Sequence, residues 1–207
     1  INEVILIKGS GVDINLYDNI KYNISNKLVL MPSRILKNKG VIEFLEACKI
    51  LYEKGINWNF ILIGAKDYNN PSSVDSKFLD QYDNKFNIKI LNHNDNLIPF
   101  YAKAGIVCLP SHREGIPKSI IEALCAGIPV VTTDTIGCNE SILPGVNGDL
   151  ALIENPKDLA NKLENLILND NKRLNYSAEA KKFAREKYNL SDVIYKHMNI
   201  YNNFFKN

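Results

Sequence analysis

Long apolar runs are missing from this sequence. None of its 207 residues belongs to a stretch near the roughly 18 apolar residues that a membrane span needs. The amino terminus also lacks the charged-then-apolar pattern of a secretory signal, so the cytoplasm is the expected compartment. Cysteine is sparse: Cys48, Cys108, Cys125 and Cys138 are scattered, and no C-x-x-C pair occurs. This excludes a zinc knuckle and a disulfide framework and predicts four free thiols. Net charge is nearly absent, since 25 Lys and Arg against 23 Asp and Glu leave +2. So weak a field gathers neither nucleic acid nor an anionic membrane, and any bound anion must be held locally. Internal repeats and low-complexity linkers are lacking too. Asparagine is abundant throughout and carries no functional weight.

What is present is an alternation of short apolar runs with longer stretches of helical period. Strands are predicted at 28–32, 59–63, 87–91, 106–110, 128–132 and 149–153. Between the first two, Val41, Phe44, Leu45, Cys48, Leu51 and Tyr52 recur at helical spacing, and Lys54-Gly55 ends that helix. A further helix is predicted over 95–104, and 68–77 reads as a surface loop feeding a short helix. Such alternation implies βαβ units and a doubly wound α/β fold, a parallel sheet of about six strands covered on both faces. After about 155 the strands stop, and helices are expected at 157–168, 170–187 and 191–205, able to wrap the sheet or reach a neighbouring domain. The domain organisation expected is an entry segment over 1–27, an α/β core over 28–155 and terminal helices over 156–207. The run at 3–7 (EVILI) opens inside an element, the expected appearance of a cut end.

Ligands of a doubly wound sheet bind beyond the carboxyl ends of the strands, so the chemistry is sought in the loops that follow them. The richest segment is 110–134, PSHREGIPKSIIEALCAGIPVVTTD. Glu114 falls in the loop after the fourth strand, and Pro117 suits the first helical position, where its missing N–H is no loss. The amides of Lys118 and Ser119 are then free at a helix amino terminus, a seat for phosphate, with Glu122 one turn on. Two carboxylates beside such a seat match the paired hydroxyls of a sugar, because an ionised carboxylate only accepts hydrogen bonds. Taken singly, two glutamates of this kind are more often solvated surface residues. The loop after the first strand carries Arg34 and Lys39 before a helix, where cations and free amides together could hold a diphosphate; alone, basic loop residues are more often solvated.

Together the two clusters resemble a known family. Glu114 and Glu122, with seven residues between them, match the paired glutamates of family-4 retaining glycosyltransferases, and Arg34, Lys39 and Gly40 match their phosphate motif. Residues 9–13 (GSGVD) are similar to the loop after the last strand of the amino-terminal domain in those enzymes. The resemblance implies a Rossmann-like domain forming the donor-binding, carboxy-terminal half of a GT-B fold, of the bacterial surface-glycan type. It assigns the diphosphate to Arg34 and Lys39, the ribose to Glu122, and the transferred sugar with its developing anomeric charge to Glu114. Gly115, Lys118 and Ser119 complete the donor loop. Base recognition falls on 89–93 and on the Ile63-Gly64 turn, although Gly64 also reads as a point of close backbone approach and His93 as an ordinary exposed histidine. Pro117 stands where many relatives have glycine, Asn92 where glycine is common, and Gly105 where aspartate is frequent.

The implied reaction moves a hexose from a nucleoside diphosphate sugar, by family preference a UDP-sugar, to a glycan or lipid-linked acceptor with retention. No metal and no other cofactor is expected. The partners are the donor, the acceptor and a missing amino-terminal domain, with no nucleic acid; peripheral membrane association of the full-length enzyme fits this scheme. Without that domain the chain is expected to transfer sugar weakly or not at all. Two alternatives share the fold: a non-hydrolysing sugar-nucleotide epimerase, which should carry further acid/base residues, and a non-catalytic nucleotide-sugar-binding or interaction domain.

Overall fold

The structure, a computed structural model, describes residues 7, 9 and 11–205. Of the amino-terminal stretches singled out above, residues 3–6 and Ser10 lie outside the described residues. Six strands form one sheet: β1 (Leu28–Pro32), β2 (Asn59–Ile63), β3 (Ile88–Leu91), β4 (Ile106–Leu109), β5 (Val130–Thr133) and β6 (Gly148–Ala151). Their order is β3-β2-β1-β4-β5-β6, and every pairing is parallel. Residues of β1, β4 and β5 are buried throughout, which is why these strands read as unbroken apolar runs rather than alternating ones.

Helices α1 (Val41–Glu53), α2 (Ser76–Leu79), α3 (Ile98–Tyr101), α4 (Lys118–Cys125), α5 (Pro156–Ile167), α6 (Asp170–Tyr188) and α7 (Leu190–Phe205) complete the chain. The β1–α1–β2 and β4–α4–β5 crossovers run outward in opposite directions from the sheet centre, so right-handed connections put α1 and α4 on opposite faces. There α1 packs on α5 and α4 on α6. Arg173 of α6, almost fully buried, donates to the Leu166 and Ile167 carbonyls at 2.6 and 2.5 Å and stacks 5.0 Å from the Trp58 ring, closing the end of α5. Val12 exchanges backbone bonds with Tyr188 and Leu190 at 2.8 and 3.1 Å, which fastens the entry segment to the α6–α7 junction. All four cysteines are free and buried. No helix among the described residues is long and apolar enough to cross a membrane.

Several expectations are corrected by local chemistry. The helix foreseen over 95–104 shrinks to the four residues of α3, because Asn94 and Asn96 bind the Asn96 and Ile98 amides and Pro99 sets the start. The last strand ends at Ala151 instead of 153, since the Leu152 amide turns to the Asp158 carboxylate. The fifth strand starts two residues later than its sequence pattern, after Ile128-Pro129, and ends one residue later, at Thr133. Tyr52 faces solvent and rests edge-on against Phe86 rather than joining the buried face of α1. Helix α6 is capped by Asn169, and α7 begins at Leu190.

Candidate active site

Because β1 and β4 are neighbours, the loops that leave their carboxyl ends run side by side at the point where the strand order reverses. The loop after β4 is pinned on both flanks. Towards the β1 loop, the Ser111 hydroxyl and the His112 amide both donate to the Asn38 carbonyl at 3.0 Å, and Gly40 abuts the Pro110 carbonyl. Towards the β5 loop, the Thr133 hydroxyl and, at 3.3 Å, the Thr135 hydroxyl donate to the Ser111 carbonyl. The Glu114 amide reaches the Ile136 carbonyl at 3.4 Å. Gly137, with φ +83°, lies so close that a Cβ there would overlap the Gly115 carbonyl.

This clamp sets Glu114 against Lys39. Lysine Nζ and carboxylate Oε1 are 2.5 Å apart, with side chains 19% and 12% exposed. Lys39 arrives at the end of a short 3-10 turn, Lys37–Lys39, just before α1. Arg34 stands apart from this pair, solvent-facing, with Asp67 at 3.9 Å. The structure therefore joins Lys39 to Glu114 and leaves Arg34 as an unburied cation beside the same turn.

Pro117 is the cap of α4 rather than its first residue, one position earlier than the sequence suggested. The consequence for the amides is as expected. Ile120 and Ile121 both bond back to the Pro117 carbonyl, while Lys118 and Ser119 have no backbone acceptor among the described residues. Glu122 accepts from the Tyr101 hydroxyl at 2.9 Å, and Lys118 Nζ lies 3.7 Å from its other oxygen. Burial and then the Glu122 charge hold the Tyr101 and Tyr17 hydroxyls well above the usual phenol range, so both stay protonated beside the carboxylate. Tyr101 was not foreseen: it lies at the end of α3, 21 residues before Glu122, and no local spacing connects them.

The remaining predicted residues separate by environment. Gly64 is buried, and a Cβ there would overlap the Ser33 carbonyl, which fits the close-approach reading of this position. His93 is exposed and paired with Asp95 at 2.9 Å. Gly115 faces open space. Also unforeseen is His112, inside the richest segment, whose ring meets Glu43 and Glu154 at 3.0 and 3.4 Å. A histidine two residues before Glu114 was the available signal. A separate cleft of about 970 Å³ opens at the opposite end of the sheet, lined by Lys27, Tyr52, Phe86, Lys89 and Lys103; it takes in Lys89, the first residue of the stretch expected to read the base, but none of Arg34, Lys39, Gly64, His93, Glu114 and Glu122.

Comparison with known proteins identifies the family and the fold. An N-acetylgalactosaminyltransferase of Campylobacter jejuni, described as acting on N,N'-diacetylbacillosaminyl-diphospho-undecaprenol, is 31% identical over all of this chain and 56% of its own length. The capsular polysaccharide glycosyltransferase CapM of Staphylococcus aureus is 30% identical over 87% of this chain and 47% of its own. The chain thus spans about half the length of these curated relatives. The crystal structure of Anabaena HepE with UDP and glucose superposes with a TM-score of 0.81 at 24% identity, covering 93% of this chain and 55% of that one, and shares the fold of one half of a GT-B enzyme. The model of the family described as Glycosyl transferases group 1 matches residues 18–183, a span that takes in the β1 loop, the clamped Glu114 and α4. On that match and these relatives, the chain belongs to the group 1 glycosyltransferase family.

Proposed function

We propose that this chain is the donor-binding half of a retaining glycosyltransferase that moves a hexose from a nucleoside diphosphate sugar, UDP-linked, to a glycan or lipid-linked acceptor. The observation that carries the proposal is the Lys39–Glu114 pair beside the open amides of Lys118 and Ser119, at the switch point of the sheet. An arriving diphosphate takes Lys39, Arg34 and those amides. Lys39 thereby leaves Glu114, whose freed oxygen accepts from a sugar hydroxyl and faces the positive charge that develops at the anomeric carbon. Glu122, steadied by Tyr101 through one oxygen, offers the ribose the other, which lies 3.7 Å from Lys118 Nζ. Gly115 leaves room for the sugar, and the Gly64 turn and His93 border the base side. Cations and helix amides take the part a divalent metal would have, so binding should survive a chelator.

The UDP in the HepE structure and the lipid-diphosphate substrate in the Campylobacter enzyme's name support the donor and acceptor classes. On α7, Ile194, Tyr195, Met198 and Tyr201 are exposed, an apolar stripe suited to the amino-terminal domain that supplies the acceptor side. Without it the chain should bind donor weakly and transfer poorly. Calorimetry with UDP, GDP and ADP in the presence of EDTA tests the proposal. Wild type should bind one of them, and Arg34→Ala and Glu122→Ala should weaken that binding. If no nucleoside diphosphate binds, a non-catalytic interaction domain becomes the better reading.

A further inference from the structure

His112 lies where the two halves of the proposed phosphate and sugar site are joined, yet the reaction scheme gives it no task. Its backbone amide bonds to the carbonyl of Asn38, the residue before Lys39. It is itself two residues before Glu114. Its ring extends this tie. Nε2 lies 3.0 Å from Glu43 Oε1, in the first turn of α1, and Nδ1 lies 3.4 Å from Glu154 Oε1, in the connection between β6 and α5. His112 and Glu43 are mostly buried, with side chains 22% and 13% exposed, whereas Glu154 is 69% exposed.

The Glu43 contact is the stronger of the two, and Glu43 depends on it. The other oxygen of that carboxylate, Oε2, is buried without a hydrogen-bond partner. The imidazole is therefore the side chain that meets this carboxylate, through Oε1, four residues from Lys39 along the chain. Through its amide and its ring together, His112 grips the Lys39 turn on both sides, at Asn38 and at Glu43, while its own backbone leads into Glu114. A rotation of this loop would change the Lys39–Glu114 separation directly.

We propose that His112 is a positioning residue that sets where Lys39 stands relative to Glu114 and so tunes affinity for the donor diphosphate, with Glu43 as its anchor and Glu154 as a weaker outer contact. This rests on the donor-binding function proposed above. It predicts that His112 acts through Lys39 and not on the ligand itself. Glutamine can place an N–H near the position of Nε2 and keep the Glu43 bond, whereas asparagine reaches only towards the Nδ1 side.

The test is calorimetric titration of the 207-residue chain with UDP, GDP and ADP, using wild type, His112→Ala, His112→Gln, His112→Asn, Lys39→Gln and the His112→Ala/Lys39→Gln double variant. Thermal melts confirm that each is folded. His112→Ala should weaken binding about tenfold, as expected for a displaced charge, and His112→Gln should recover most of the loss while His112→Asn does not. In the Lys39→Gln background, His112→Ala should have little further effect. Equal losses in both backgrounds, or wild-type affinity in His112→Ala, would overturn the proposal while leaving the donor-binding function standing. If wild type binds no nucleoside diphosphate, that function and this proposal fail together. Should His112→Ala not fold, the glutamine and asparagine variants decide, and equal affinities of those two would count against it.

Discussion

Lys39 Nζ and Glu114 Oε1 meet at 2.5 Å across 75 residues of sequence, a contact made possible because β1 and β4 are adjacent in the sheet. Both side chains are largely withdrawn from water, so each is the other's compensation. Removing one leaves a partly buried charge with less to hold it. Lys39→Ala should therefore lower unfolding stability by about 1–3 kcal/mol, and adding Glu114→Gln should recover part of that. Urea unfolding of the single and double variants checks this, and a double variant no more stable than Lys39→Ala would contradict it.

Gly137 and Gly115 face each other, and alanine should have opposite consequences at the two positions. At Gly137 the left-handed backbone and the overlap with the Gly115 carbonyl should together cost about 2 kcal/mol or more. At Gly115, where a Cβ meets open space, stability should stay within about 0.5 kcal/mol of wild type. Denaturant midpoints of the two variants give the comparison. A Gly137→Ala protein as stable as wild type would mean that the β5 loop does not clamp the Glu114 loop.

Tyr101→Phe removes the hydroxyl that steadies Glu122 while keeping the ring in contact with Tyr17. A hydrogen bond to a charged group supports a loss of about 1–2 kcal/mol in stability. Affinity for the nucleoside diphosphate should fall as well, because the carboxylate is free to leave its ribose-facing position. Unchanged affinity in a folded Tyr101→Phe protein would show that Glu122 is placed by other contacts.

Stability should also decline in alkali. Burial is the chief cause that raises the Tyr22 and Tyr188 hydroxyls to about 12, with the Glu140 charge adding to it at Tyr188. The unfolded chain gives up these protons near pH 10, whereas the folded protein holds them until about 12. A raised folded value favours the fold fully below pH 10, and that contribution is lost as pH climbs towards 12. Urea midpoints should thus fall from pH 10 upward, and Tyr188→Phe should lessen the slope. Phenolate absorbance offers a direct check: if all 10 tyrosines ionise near pH 10 with the fold intact, the burial argument is wrong.

The strands and helices were legible because their signals are local. Six runs of strand length and the helical recurrence of Val41, Phe44, Leu45, Cys48 and Leu51 each reflect burial of one short element. The spacing of Glu114 and Glu122 around the start of α4 belongs to the same class, as does the placement of Arg34 and Lys39 directly after β1. Failures came where a neighbouring side chain competes for a backbone group, as Asn94 and Asn96 do before α3 and Asp158 does after β6.

Partnership was a different matter. Periodicity states that a residue is buried or exposed, but carries no record of which distant residue it will meet. The pairing of Lys39 with Glu114 followed from the strand order, and that of Tyr101 with Glu122 from the tertiary fold bringing the Tyr101 hydroxyl within reach of α4. The joining of His112 to Glu43 required the loop after β4 to lie on α1. Local chemistry thus dictated the elements and the residue types of the site. Which charge neutralises which was decided only when the parallel sheet brought the ends of β1, β4, β5 and β6 together.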